Sequence, residues 1–146
     1  MTGGTYTLIV TLSEPVTITV GALGEQPFDA GWYAYVGSAL GPGGFSRIER
    51  HRELAAGKRD VRHWHLDYLL GHPAARLADV VRTADADGEC QVARHLSTAC
   101  QEDSSVHGKA ISGFGCTDCG CESHLFYARE REAVLASVEE AHDRIR

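Results

Sequence analysis

A strand, a glycine-rich loop and a helix follow one another between Trp32 and His51. The first part is aromatic and favours a strand, and the glycines and proline behind it cannot continue one. Ser46 is followed three residues later by Glu49, the spacing of a capping box, so we expect the helix to begin with Ser46 as its N-cap. Arg47 lies four residues before His51 and should share one helix face with it. A helix start behind a glycine loop, with an arginine on its first turn, predicts a phosphate-binding site.

Length and composition fit one globular domain. The chain has 146 residues, of which 43% are hydrophobic, and this suffices for an ordinary core. No apolar run approaches the length of a membrane span, and residues 2–5 lack the basic and apolar regions of a signal peptide. We therefore expect a single domain over residues 1–146 and a cytoplasmic location.

The charge is acidic overall but unevenly distributed. A formal net charge of −6 argues against indiscriminate binding of nucleic acid, because the phosphate backbone attracts positive surfaces. Lysine occurs only at positions 58 and 109, so nearly all positive charge is arginine, which binds phosphate through a planar fork. Basic residues cluster between Arg47 and Arg62, whereas the segment from Glu130 to Asp143 is acidic. A local nucleic-acid surface on an acidic protein is compatible with this distribution.

Hydrophobic alternation, helical periodicity and turn residues predict a small α+β fold. The predicted strands are Thr5–Leu12, Val16–Val20, Trp32–Gly37, Arg76–Thr83, Ala110–Phe114 and Ser123–Ala128. The predicted helices are Ser46–Ala56, Asp60–Leu70, one capped by Asp87 that extends to Cys100, and Arg129–Ile145. Residues 21–31 are expected to form a loop, and Trp32–Gly37 should be a central strand because both its faces are apolar. We predict a small mixed, mainly antiparallel sheet with helices packed on it.

Five cysteines raise the question of metal or redox chemistry. They are Cys90, Cys100, Cys116, Cys119 and Cys121, and their odd number without a secretory signal argues against a disulfide framework. The last three and His124 are soft ligands within nine positions, on a predicted Cys-rich hairpin near residues 113–127, and are candidate zinc ligands. Closed zinc sites usually combine two such motifs and only one is evident, so ordinary packed cysteines are the alternative. A redox role for the Cys-x-x-Cys pair would need a helix N-terminus that is not apparent.

Three short motifs in order resemble the GIY-YIG nuclease superfamily. They are Gly4-Thr5-Tyr6, Tyr35-Val36-Gly37 and the helix Arg47-Ile48-Glu49-Arg50-His51. Two longer blocks, residues 33–70 and residues 113–126, resemble a little-characterised prokaryotic branch whose members are sometimes joined to an endonuclease III-like repair domain. The resemblance extends from the first strand to about Tyr127. It implies the fold of that superfamily and single-metal hydrolysis of phosphodiester bonds in DNA.

The resemblance also assigns roles to individual residues. Tyr6 matches the tyrosine that accepts or relays the proton of the attacking water. Tyr35 matches the second tyrosine, which positions the substrate or assists the first. Arg47 matches the arginine that holds the scissile phosphate, and His51 would orient these groups. Glu89, near the start of a later helix, matches the glutamate that binds Mg²⁺ or Mn²⁺.

Elementary chemistry is compatible with these roles. Phosphodiester cleavage needs a base for water, a cation for the phosphate oxygens and usually a divalent metal. A free tyrosine titrates near pH ~10, so it is a poor base unless Arg47 or the metal stabilises its phenolate. Mg²⁺ is often held by one carboxylate and several retained waters. Glu89 is the candidate carboxylate, and Glu122 is its rival.

The DNA surface implied by the resemblance extends beyond the catalytic residues. We expect contacts from Gly37, Ser38, Arg50, Lys58, Arg59, Arg62 and His63. The expected partners are DNA and an endonuclease III-like repair enzyme, with no membrane.

Readings without catalysis remain open for the same residues. Tyr6 and Tyr35 are also consistent with strand aromatics whose hydroxyls bond to the backbone, and Glu89 with a first-turn acid favoured by the helix dipole. Many superfamily members join the two triplets by a short hairpin, whereas here the segment Thr7–Ala34 carries an extra strand and loop. The alternative function is a non-catalytic nucleic-acid-binding module of the same fold, with a structural zinc at the Cys-rich loop.

Overall fold

The part of the chain that the computed structural model describes forms seven strands and four helices. It comprises residues 3–19, 24–28, 30–40, 43–56, 65–102, 109–110, 125–128 and 130–145. The strands are β1 (Gly4–Leu12), β2 (Val16–Thr19), β3 (Glu25–Phe28), β4 (Gly31–Ser38), β5 (Ala75–Ala84), β6 (Lys109–Ala110) and β7 (Leu125–Ala128). The helices are α1 (Ser46–Ala55), α2 (His65–Leu70), α3 (Glu89–Glu102) and α4 (Arg131–Ile145).

The strand β4 lies at the centre of a five-stranded sheet with the order β5-β1-β4-β7-β6. Each described neighbouring pair in this sheet is antiparallel. The central position predicted for Trp32–Gly37 is confirmed, and the middle of β4 is buried on both faces. The predicted α+β class, with a mainly antiparallel sheet and helices packed on it, is confirmed as well.

Successive residues of β1 and β4 point into two different cores, as the period of a strand requires. One core contains Tyr6, Leu8, Val10, Tyr33 and Tyr35 together with residues of α1 and α2. The other contains Ile9, Ala34 and Val36 together with residues of α3 and α4. We call the two sides of the sheet the α1 face and the α3 face. The side chains of adjacent residues in a strand therefore lie on different faces of the sheet.

A second, two-stranded sheet corrects one prediction. The loop predicted over residues 21–31 is wrong at its centre, because Glu25–Phe28 forms β3 and pairs antiparallel with β2. Ile18 on β2 and Phe28 on β3 anchor this pair in the core of the α1 face. Pro27 is tolerated because a strand of a two-stranded sheet has an open edge that needs no N–H donor.

The start of α1 also differs from the prediction. Ser46 is the first helical residue, Phe45 is the N-cap, and no side-chain hydrogen bond caps the helix. Glu49 forms an ion pair with Arg52 instead of reaching back. A turn supplies the acceptors, since Ser46 N–H donates to Gly43 C=O at 3.1 Å and the next turn closes on the Phe45 carbonyl. The capping-box prediction is therefore wrong, although the helix itself is confirmed.

The remaining predicted elements agree with the structure where it describes them, except that Asp87 is not the cap of the third helix, because α3 begins at Glu89 and its first turn closes on the Gly88 carbonyl. The strands predicted over Thr5–Leu12 and Arg76–Thr83 are β1 and β5. The predicted apolar stripe of the last helix is buried at Val134, Val138 and Ala141. The predicted start of the second helix at Asp60 and most of the Cys-rich hairpin lie outside the described residues. No helix in the described part of the chain is long and apolar enough to cross a membrane.

Candidate active site

A buried tyrosine and a buried histidine meet on the α1 face. The Tyr6 hydroxyl lies 3.0 Å from Nε2 of His51, within hydrogen-bond distance, although 45 positions separate the two residues. Tyr6 is 2% exposed and His51 1% exposed. Burying polar groups in an apolar core is costly unless they bond to each other, and the Tyr6 hydroxyl and His51 Nε2 meet that condition.

The second predicted tyrosine belongs to the same cluster. The register of β1 and β4 places Leu8 opposite Tyr35 and Tyr6 opposite Gly37, so both tyrosines lie on the α1 face. The Tyr35 ring centroid is 6.5 Å from that of His51, in an edge-on arrangement. The Tyr6 and His51 ring centroids are 5.8 Å apart. We call Tyr6, Tyr35 and His51 the Tyr–His cluster.

Gly37 provides the space in which the Tyr6 ring lies. A Cβ atom added at Gly37 would lie 2.4 Å from Cζ and 2.5 Å from the hydroxyl oxygen of Tyr6. These distances are far below a van der Waals contact, so no larger residue fits without moving the ring. Gly37 therefore leaves the room in which the Tyr6 phenol ring lies across the neighbouring strand β4.

The helix α1 brings His51 to this cluster through its apolar face. Ile48 and Leu54 are buried in the core of the α1 face and lie one turn on either side of His51. Arg47 precedes His51 by one turn in α1, and its side chain lies outside the described part of the structure. Arg50 is half-buried on the same helix.

Glu89 occupies a different position from the Tyr–His cluster. It is the half-buried first residue of α3, and α3 covers the opposite face of the sheet. The segment that joins β5 to α3 lies at one end of the sheet. There β1 begins beside the last residues of β5, and the chain passes from β5 into α3. The structure thus unites Tyr6, Tyr35 and His51 and places Glu89 around the same end of the sheet.

The described residues give little support to the metal-binding predictions. Among these residues, no group of three or more His, Cys, Asp or Glu side chains could hold a metal ion. Glu89 supplies one hard carboxylate, which suits Mg²⁺ with retained waters better than it suits zinc. The candidate zinc ligands Cys116, Cys119, Cys121 and His124, the rival carboxylate Glu122 and the basic residues Lys58, Arg59, Arg62 and His63 lie outside the described residues.

The structure adds one residue that the sequence did not single out. Arg82 on β5 is the register partner of Tyr6, so it lies on the α1 face beside the cluster. Its side chain is exposed, and its guanidinium carbon lies 5.4 Å from the centre of the Phe45 ring. Only the pairing of β1 with β5 could have pointed to this arginine. It supplies a cation between the cluster and the start of α1.

Comparison with known proteins gives a family. No curated protein and no solved structure matches the chain. A family model described as a domain of unknown function, DUF123, matches residues 5–146. The match runs from β1 through α4 and covers nearly the whole chain. The chain therefore belongs to the family of the domain of unknown function DUF123.

Proposed function

We propose that this protein is a GIY-YIG-like, divalent-metal-dependent endonuclease that hydrolyses phosphodiester bonds of DNA in repair or processing. The observation that carries the proposal is the buried contact between the Tyr6 hydroxyl and His51 Nε2, with Tyr35 beside the imidazole. The resemblance selects these three residues from two strands and a helix. The three side chains meet in one cluster. This supports a common role, because side chains scattered over the fold could not act together.

The Tyr–His cluster offers a path for one proton. When Nε2 carries no proton, the Tyr6 hydroxyl donates to it and the phenolic oxygen keeps a lone pair for another donor. Water gives a proton to this oxygen while the phenol passes its own proton to Nε2, and the resulting hydroxide attacks phosphorus. The bond from phosphorus to the leaving oxygen breaks, that oxygen takes a proton from solvent, and Nε2 returns its proton to solvent through the Tyr6 hydroxyl. Because the pair is almost fully buried, DNA binding has to open a path for water to the hydroxyl.

Arginine side chains would hold the phosphate beside this pair. From the resemblance we assign Arg47 to the scissile phosphate, and its place in α1 one turn before His51 is compatible with that role. The exposed Arg82, opposite Tyr6, is suited to a neighbouring phosphate. Arginine stabilises the developing charge through charge-assisted hydrogen bonds.

Glu89 is the residue to which we assign the metal. Mg²⁺ or Mn²⁺ held there would polarise the phosphate. The role of this chain is to keep a hard oxygen donor at the end of the sheet where Tyr6 also lies. A DNA substrate of a repair enzyme also implies a cytoplasmic location and the endonuclease III-like partner that the resemblance suggests.

A second function, a non-catalytic nucleic-acid-binding module, is favoured by one specific observation. Tyr6 and His51 are almost completely buried, and Glu89 belongs to a helix on the other face of the sheet. A purely structural hydrogen bond would have the same appearance. The two functions differ in whether a metal-dependent reaction exists and in whether Glu89 is needed for it.

Replacing Glu89 by glutamine tests the proposed function. We expect the wild type to cleave branched, nicked or damaged DNA with Mg²⁺ or Mn²⁺ and to stop when the metal is chelated. Glu89→Gln removes the charge at constant size and should lower the cleavage rate about 10²-fold or more, since metal polarisation is worth several kcal/mol. Cleavage is followed by gel electrophoresis of labelled substrates, and DNA binding by anisotropy.

Glu132→Gln is the matched control, because Glu132 is also a first-turn acid, on α4, and no role is assigned to it. It should cleave like the wild type, and both variants should bind DNA as the wild type does. Wild-type protein that binds these substrates but cleaves none of them, at low and at high salt, would refute the enzyme and favour the binding module.

A further inference from the structure

The hydroxyl of Thr5 makes two hydrogen bonds to the segment that leads into α3. It donates to the Ala86 carbonyl at 2.9 Å and accepts from the Gly88 N–H at 2.9 Å. Thr5 is completely buried. A single side chain thus satisfies a donor and an acceptor of the backbone immediately before Glu89. An aliphatic side chain at this position could make neither bond.

Two further contacts fix the same segment. The Asp85 N–H donates to the Gly3 carbonyl at 2.7 Å, and Asp85 has a left-handed backbone with φ of 60°, which aspartate tolerates better than most residues. Gly88 packs against Ile145 so closely that an added Cβ would lie 2.7 Å from the Ile145 side chain. The chain between β5 and α3 is therefore held at several points, and Thr5 supplies the side-chain contact from β1.

Thr5 is the immediate neighbour of Tyr6 in β1 and faces the opposite side of the sheet. Tyr6 points to His51 on the α1 face, whereas the Thr5 hydroxyl holds Gly88, the residue before Glu89. Adjacent positions of one rigid strand thus connect to the Tyr–His cluster and to the start of α3. The Thr5 hydroxyl is therefore one of the contacts that connect the start of α3 to the strand that carries Tyr6.

We propose that Thr5 is a positioning residue that fixes Glu89 relative to Tyr6 through its hydroxyl. This inference rests on the proposed function, in which both residues take part in one reaction. Two groups that act on one phosphate must keep a constant separation, and small displacements are costly to the rate. The hydroxyl supplies this constraint from inside the sheet without touching DNA.

The variant Thr5→Val tests the proposal, because valine has nearly the shape of threonine but lacks the hydroxyl. The Gly88 N–H loses its acceptor, so its amide hydrogen should exchange about tenfold faster, as expected for one lost hydrogen bond. The rate constant kcat for DNA cleavage should fall about tenfold or more because Glu89 is less well placed. KM for DNA should stay constant, and Thr5→Ser, which keeps the hydroxyl, should restore both the exchange rate and kcat.

Thr7→Val is the matched control. Thr7 is also completely buried, lies on the same strand and face, and bonds through its hydroxyl to Nε2 of His142 at 2.8 Å. Its loss should destabilise the protein without accelerating exchange at Gly88 and without lowering kcat when the protein is folded. A comparable effect of Thr7→Val on kcat would show that general stability, and not the position of Glu89, is responsible.

The two possible failures can be told apart. If the wild type cleaves DNA and Thr5→Val keeps the wild-type kcat, the positioning role is refuted while the proposed function stands. If exchange at Gly88 does not accelerate in Thr5→Val, the hydroxyl does not hold this segment and the inference fails directly. If the wild type cleaves no DNA at all, the proposed function and the catalytic meaning of the link fail together, and hydrogen exchange alone decides whether Thr5 holds the start of α3.

Discussion

Replacing Tyr6 by phenylalanine should reduce the kcat of DNA cleavage by about 10²- to 10⁴-fold, the range expected when a group that transfers a proton is removed. The substitution deletes only the hydroxyl oxygen that lies 3.0 Å from His51 Nε2, so the ring keeps its place beside Gly37. DNA affinity should change little, because a side chain that is 2% exposed contributes almost nothing to the surface. Single-turnover cleavage and DNA binding at equal salt measure the two quantities separately.

The stability of Tyr6→Phe has to be measured alongside its activity. His51 loses its hydroxyl partner in a buried position, which should cost about 1–3 kcal/mol of unfolding free energy. Tyr127→Phe is the matched control, since the Tyr127 hydroxyl also donates a hydrogen bond, to the Ala30 carbonyl at 2.8 Å. Tyr127 is buried on the same face of the sheet. Equal losses of kcat in the two variants would mean that Tyr6 only supports the fold.

The strands and long helices of this protein could be predicted because their apolar residues follow the period of each element. β1 alternates between two cores, and α4 places Val134, Val138 and Ala141 on one buried stripe. Such patterns arise from burial itself, so they are visible before any contact is known. The central place of β4 followed from the same reasoning, because a strand that is apolar on both faces has to be covered on both sides.

The errors arose where other contacts replaced those that the local sequence pattern indicated. The segment Glu25–Phe28 is polar and contains a proline, yet it forms a strand, because it pairs with β2 and because Phe28 and Ile18 reach the core. The Ser46–Glu49 spacing matches a capping box, yet the turn from Gly43 to Phe45 already provides backbone acceptors for the first helical N–H groups. In the first case the deciding contact is tertiary, and in the second it is made by the backbone turn that immediately precedes the helix.

The sequence selected the candidate site residues, but it could not predict the contacts between them. The order of the two triplets and of the helix with Arg47 and His51 selected the members of the Tyr–His cluster. Their distances depend on the β1–β4 register and on the way Ile48 and Leu54 seat the helix. The proximity of Arg82 to Tyr6 depends on the β1–β5 register, a long-range pairing between residues 76 positions apart that a local sequence pattern does not contain.

The sheet explains why the assigned groups lie on two sides of one plane. The alternation of side chains in β1 places Tyr6 on the α1 face and Thr5 on the α3 face. Residues that are neighbours in sequence therefore lie on opposite sides of the sheet. A substrate at this end of the sheet could be approached from both sides, by the Tyr–His cluster and by the first turn of α3. In the proposed mechanism the strand β1 is then as important as the reactive groups themselves, because it helps to set their separation.

Replacing Gly37 by alanine should disable the site by steric means, without removing any functional atom. The added methyl group would lie 2.4 Å from Cζ of Tyr6, and the ring has to move by about 1 Å to restore contact distance. Such overpacking costs about 1–3 kcal/mol of unfolding free energy. A displacement of this size at a reacting group can lower the rate about 10²-fold. Thermal or urea unfolding gives the first quantity and single-turnover cleavage gives the second.

A double-mutant cycle with Tyr6→Leu identifies the cause of this loss. Leucine lacks the outer ring atoms that the new methyl group would meet, so Gly37→Ala should cost far less stability in the Tyr6→Leu background than in the wild type. The difference between the two costs is the energy of the clash. If Gly37→Ala is equally destabilising in both backgrounds, the strand backbone and not the Tyr6 ring requires the glycine. In that case the space at Gly37 would be a property of β4 alone, and the packing argument that links the second triplet to the position of the Tyr6 hydroxyl would be wrong.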